Sequence, residues 1–239
     1  MQVESANPEN RQQKLWTAGR FLQIVVFLAV WVGALFVAAG TARWLRGWIF
    51  TIGTLGLYIL ATVWVMRRNP ALLPARAKWH GREMRPFDRV FIGLLFALYL
   101  AQPIVAGLDA VRYQWTSMPF WTVYGGLVLL TFGMGIITWA MLVNPFAEAV
   151  VRIQKERHQT TVTTGPYRYV RHPMYLGAFV MFPATGLVLG SYWALATGVA
   201  MSLLFAWRTA REDRVLQREL LGYQTYAEAT RYRLIPGVW

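Results

Sequence analysis

Gly165-Pro166-Tyr167-Arg168-Tyr169-Val170-Arg171-His172-Pro173-Met174-Tyr175-Leu176-Gly177 sets two arginines, a histidine and three tyrosines immediately before an apolar run. Each proline restricts the residue before it to extended geometry, so Gly165 and His172 are expected outside regular helix, with a new helix starting near Pro173 or Met174. The turn then aims backbone N–H groups and side chains at whatever lies above that helix's N-terminus. The run that follows, Met174–Trp207, has 34 residues, whereas a bilayer core needs about 20. It is therefore predicted to fold back on itself at Gly190-Ser191, giving two short arms that need tilt or local thinning to span.

Outside this stretch the chain is equally apolar. Its 239 residues are 56% hydrophobic and only 15% charged, with 12 tryptophans, against about a quarter charged in soluble domains. Runs of spanning length occur at Phe21–Gly40, Trp48–Met66, Val90–Gly107 and Phe120–Val143, and none contains an ionisable Asp, Glu, Lys, Arg or His. The expected fold is all-α, a polytopic membrane helix bundle of about six spans. Residues 1–143 would form an N-terminal region of four spans, and 144–239 a C-terminal region of polar loop, helical hairpin and C-terminal cap.

Six spans put 21 of the 24 Lys and Arg residues on one side, leaving Arg43, Arg46 and Arg112 on the other. Basic short loops stay cytoplasmic, so both termini are predicted there, in the cell (inner) membrane of a bacterium or the endoplasmic reticulum of a eukaryote. One long fifth helix would instead strand six arginines outside. The formal charge of +13 then reads as topology signal and attraction to membrane lipids, with no nucleic-acid module required. The polar start Met1–Gln13 is too long for a cleavable signal peptide. There is no cysteine, hence no disulfide framework and no thiol nucleophile. His80, His158 and His172 show no metal-ligand spacing, and no metal is expected.

Asn7-Pro8 is expected to break any early helix, leaving residues 1–20 as a mobile or interfacial segment. Trp44, Trp48, Trp115 and Trp121 bracket the outer loops as interfacial anchors. The loop 67–89, including Lys78-Trp79-His80-Gly81-Arg82-Glu83, carries seven positive charges suited to anionic lipid. Thr160-Thr161-Val162-Thr163-Thr164 disfavours helix and is expected as a short strand or a ledge of backbone donors. Arg208 and Glu212 stand four apart on one helical face, which by spacing alone describes a surface ion pair.

The pattern Tyr-x-x-x-Arg-His-Pro-x-Tyr-x-Gly, followed by an apolar hairpin and then Arg208, Glu212 and Asp213, resembles the isoprenylcysteine carboxyl methyltransferase and phospholipid methyltransferase superfamily of integral membrane enzymes. The resemblance runs from about Asn144 to the C-terminus. It implies S-adenosylmethionine as cofactor, held by Gln154, Gln159, Thr160, Thr161, Val162, Tyr167, His172, Pro173, Met174, Tyr175 and Glu212. Arg208 would contact a lipophilic methyl acceptor, making Arg208 and Glu212 the catalytic pair. Gln159 stands where the family often has His, and Asp213 where it commonly has a second Glu. The tail Arg231-Tyr232-Arg233-Leu234-Ile235-Pro236 resembles the family's Arg-x-Ile-Pro ending and is expected to fold back over the cofactor.

Methyl transfer from a sulfonium is an in-line displacement, so the chief task is alignment of donor and nucleophile. A carboxylate acceptor, as on an isoprenylcysteine-type substrate, is already ionised and needs no base. A phospholipid amine or small thiol would need one, with Glu212, Asp213 and His172 as candidates. The rival class, a non-enzymatic transporter or scaffold, is disfavoured by the absence of ionisable residues in the four runs. A related membrane reductase using a nicotinamide cofactor is the other enzyme alternative.

Overall fold

The computed structural model describes residues 8–77 and 84–239, with the backbone alone for 8–22 and 24. The architecture is all-helical, with no strand among the described residues. Long helices α1 (Pro8–Ala39), α2 (Leu45–Arg68), α4 (Pro86–Gly107), α5 (Thr122–Val143), α6 (Pro173–Leu189) and α7 (Tyr192–Glu219) are joined by short α3 (Leu72–Ala77) and followed by α8 (Tyr223–Ala229). Helix α6 packs between α5 and α7, α4 lies on α7, α1 on α4, and α2 on α5.

Helices α2, α4 with its π-turn extension to Arg112, and α5 are long and apolar enough to cross a membrane; Val25–Ala39 of α1 and all of α6 are shorter apolar segments. The expected hairpin is present. Pro173 occupies the first turn of α6, Gly190 closes it with φ of 76°, and Ser191 caps α7 by accepting from the Ala194 amide. Only a residue free of a Cβ takes that left-handed turn without strain. The hairpin tip is sewn to the π-turn by Asp109, whose Oδ2 accepts from the hydroxyls of Ser191 and Thr116 (2.5 and 2.7 Å).

Two expectations change. Within the segment 1–20, expected to be mobile or interfacial, residues 8–20 are helical and run without a break into the apolar part of α1. The threonine run forms no strand, since no neighbouring segment offers it a ladder, and remains irregular. The expectations for residues 1–7 and 78–83 fall outside the described residues.

Inside the apolar layer an unpaired carbonyl has no water to turn to. Pro103 of α4 and Pro183 of α6 lack the N–H that would bond Tyr99 and Phe179, four residues earlier. Each stranded carbonyl is reached from a neighbouring helix: Trp31 Nε1 donates to Tyr99 O at 3.2 Å, and Ser202 Oγ to Phe179 O at 2.7 Å. The prolines therefore become cross-links between α1 and α4 and between α6 and α7. Tight α5–α6 contact comes from Gly133 and Gly177, where a Cβ on either would meet the other's carbonyl at 2.6 or 2.5 Å.

Ser202→Ala should lower unfolding free energy by about 1 kcal/mol. In a Pro183→Ala background position 183 regains its amide, so the same substitution should cost much less. Reversible unfolding in lipid–detergent mixtures measures the cycle, and additive losses would mean that Ser202 does not serve that carbonyl.

Candidate active site

Pro173 starts α6, which places Arg171 and His172 outside the helix with their amides unused. The C-terminal tail takes both: Arg171 N donates to Tyr232 O and His172 N to Arg233 O, each at 2.9 Å. The tail is closed on itself by Leu234 N donating to Trp239 O. Helix α8 is fixed to the preceding turn by Tyr226, whose hydroxyl donates to Tyr167 O at 2.7 Å. Asn144, at the end of α5, donates to the Tyr167 hydroxyl at 2.8 Å. Burial of that phenol pushes its pKa up to about 12, against the opposing effect of the Asn144 hydrogen bond.

These segments meet at Asp213, which is 0% exposed. Its Oδ1 accepts from Tyr223 Oη (3.0 Å) and lies 3.3 Å from His172 Nε2 and 3.4 Å from Arg171 Nε. Its Oδ2 accepts from Arg233 Nε (2.9 Å) and Gln217 Nε2 (2.7 Å). Burial alone would raise the carboxyl's pKa, but His172, then Arg233 and Arg171, outweigh it and hold Asp213 well below the usual carboxylate range. One turn of α7, the α8 helix, the Arg-His-Pro turn and the tail are thereby tied to a single carboxylate.

Beside this hub lies a cleft enclosing about 820 Å³ of space open to solvent. Of the residues singled out by sequence, Gln159, Thr160, Thr161, Val162, Tyr167, His172, Met174, Tyr175 and Glu212 line it together. Tyr175 donates its hydroxyl to Glu212 Oε2, and its ring stacks on His172 with centroids 5.6 Å apart. Pro173 is buried in the first turn of α6, outside the lining, and acts on the cleft through backbone geometry. Gln154 is 1% exposed beneath the wall, its Nε2 donating to Phe146 O and its amide to Gln159 Oε1. It positions Gln159 and does not face the cleft. Tyr223, Tyr226, Leu216 and Leu220 also line the cleft; Gly222-Tyr223-x-x-Tyr226 resembles the family's tyrosine-rich C-terminal helix, whereas Leu216 and Leu220 carried no signal in the sequence.

Arg208 stands just behind the lining, 5% exposed. Its Nη2 donates to Ala149 O and lies 2.8 Å from Asp88 Oδ1, while Nε is 4.0 Å from Glu212 Oε2. The guanidinium sits over the rings of Phe91 (4.3 Å) and Tyr175 (5.2 Å). This is a buried, multiply held cation, not the surface i, i+4 pair that spacing describes. Asp88 also accepts from the Val151 amide through Oδ2 at 2.9 Å. Arg76 of α3 donates to Ala147 O and lies within electrostatic reach of Tyr175 and Arg208. The loop 67–89 thus reaches the cleft wall through its two ends, a contribution that no local pattern advertised.

The donor set fits a nucleoside sulfonium. Tyr167, Tyr223 and Tyr226 offer aromatic faces, Glu212 a carboxylate, and the irregular 159–162 segment lies against the same space. Residues 121–221 match the family model described as phospholipid methyltransferase, and this segment belongs to the superfamily of integral membrane methyltransferases. The protein is a membrane methyltransferase. No curated protein matches the chain.

Asp213→Asn should cost about 3 kcal/mol, because it leaves Arg171 and Arg233 without their buried counter-charge. The pKa of the folded carboxyl is depressed, so its stabilisation is complete above the unfolded value of about 4 and is lost as pH falls through the folded value. Thermal unfolding of wild type should therefore be flat in this contribution from pH 8 to 5 and weaken below about pH 4. Asp213→Asn should lack that acid limb, and an unchanged limb would assign it to other groups.

Proposed function

We propose that this enzyme transfers the methyl group of S-adenosylmethionine to a lipophilic acceptor at the cytoplasmic boundary of the membrane. The observation that carries the reading is the convergence of residues 159–162, Tyr167, Met174, Tyr175 and Glu212 on one cleft where α6 and α7 leave the apolar layer. A soluble donor enters such a cleft from the polar side, and an apolar acceptor arrives between helices. The strongly one-sided distribution of basic residues supports a cytoplasmic position for the cleft and both termini.

When bound, S-adenosylmethionine supplies a methyl group on a positively charged sulfur. Glu212, oriented by Tyr175, would supply a counter-charge to it, while the 159–162 segment and the tyrosines of α8 would hold the nucleoside. Val150, Val151, Leu216 and Leu220 give the cleft an apolar portion of wall, which strengthens electrostatic contacts made against it. The acceptor most consistent with two guanidiniums, Arg76 and Arg208, near Tyr175 is an ionised carboxylate of the isoprenylcysteine type. Such an acceptor uses its own lone pair and needs no base. A phospholipid amine is the second reading, favoured by the exposed side of Glu212 and by the description of the matching family.

Glu212→Gln should raise the dissociation constant for S-adenosylhomocysteine by about tenfold, as loss of one charge-assisted contact implies. Arg208→Lys keeps the charge but loses the planar group whose Nη2 meets Asp88 and Ala149 while its Nε faces Glu212. It should slow single-turnover transfer with little change in cofactor affinity. Isothermal titration beside single-turnover assays on a prenylcysteine-type carboxylate and on phosphatidylethanolamine separates the readings. Turnover of the amine alone would overturn the carboxylate, and failure to bind S-adenosylhomocysteine would overturn the cofactor assignment.

A further inference from the structure

Helix α7 carries a second feature, on a face next to the one that holds Arg208. Trp207, Arg211, Arg214 and Arg218 follow spacings of four, three and four residues, which aligns them along one side of the helix. Arg85, the N-cap of α4, and Phe87 in its first turn complete a groove with Arg211, Arg214, Val215, Arg218 and Glu219, enclosing about 730 Å³ of open space. Glu219 is the groove's one acidic lining residue and is already paired with Arg85. Arg211, Arg214 and Arg218 are exposed and make no ion pair among the described residues. Arg211 instead lies over the Trp207 ring at 5.8 Å, and Trp207 meets Phe87 edge-on at 6.3 Å.

We propose that this groove binds the phosphate of an anionic phospholipid from the leaflet on the cleft side. Trp207 ends the apolar part of α7, so the aromatic pair Trp207–Phe87 stands at the height of the headgroups. The arginines rise from there by one to three turns. Three uncompensated guanidiniums above an aromatic pair match a ligand with a negative head and an apolar body. A soluble phosphate would use the arginines but gain nothing from Trp207 and Phe87. The groove is separate from the cleft and takes no part in methyl transfer: it anchors the polar extension of α7, and with it the register of Arg208, Glu212 and Asp213.

The test uses the full chain purified in detergent, titrated with phosphatidylglycerol or phosphatidylcholine and read by native mass spectrometry of bound lipid. Wild type should prefer phosphatidylglycerol by about tenfold, and Arg211→Gln/Arg214→Gln should bind the two lipids alike. Arg67→Gln/Arg68→Gln removes the same charge from exposed arginines at the end of α2 on the same side and should keep the preference. Equal losses in the two double variants would reduce the effect to general surface charge and overturn the site, as would a wild type without preference. Arg211→Lys/Arg214→Lys should retain most of the preference, which separates loss of the groove from loss of folding. Arg218→Gln alone should give an intermediate loss, and no change there would exclude the outer end of the groove.

Discussion

Asp213 has to stay ionised with no exposure to water, and that requirement shapes everything around it. A carboxylate in such a place is tolerable only when its charge is countered and its lone pairs are filled. Here the partners come from four places in the chain: Gln217 from the next turn of α7, Tyr223 from α8, Arg171 and His172 from the turn before α6, and Arg233 from the tail. Because α7, α8 and the turn before α6 also wall the cleft, satisfying one carboxylate assembles the site. Glu212, its neighbour in sequence, points into the cleft, and Arg208, one turn earlier, points toward α4.

A second buried charge, Asp88, links the two halves of the chain. It holds Arg208 from one side and the Val151 amide from the other, and so ties α4, α7 and the cleft loop together. Arg76 adds a contact from α3 to Ala147. The segment that matches the methyltransferase family begins at residue 121, so these two charged groups reach its cleft from outside the matched region. At the other end of the bundle Asp109 plays the corresponding part for the hairpin tip. The apolar layer between is held by packed glycines and by hydrogen bonds that rescue carbonyls stranded by proline.

Most of the fold could be read from sequence because its determinants are local. Run length and the Gly190-Ser191 pair were enough for the hairpin, and Pro173 for the start of α6. The cleft residues from Gln159 to Val162 and from His172 to Tyr175 were legible through a contiguous motif. Asp213, noted as a shortened glutamate and a candidate base, gains its structural importance from partners 10 to 42 residues away, and no periodicity encodes those pairings. Asp88 and Arg76 were hidden for the same reason, amid a loop whose seven charges looked alike. Gln154 shows the converse: a polar residue near the motif can serve the backbone beneath a site without facing it. The helical state of residues 8–20 was missed because it is propagated from the apolar run that follows, and their own polar composition does not announce it.

The claim that Asp213 holds the tail against the Arg-His-Pro turn can be tested at the two amides that the tail covers. Hydrogen–deuterium exchange of Arg171 and His172 should be slow in the wild-type protein, since both N–H groups are bonded to tail carbonyls. In Asp213→Asn, under conditions where the spans remain protected, both amides should exchange faster together with those of Leu234 and Trp239. Unchanged protection at Arg171 and His172 would show that the tail is held by its other contacts, and that the carboxylate is not what assembles the cleft.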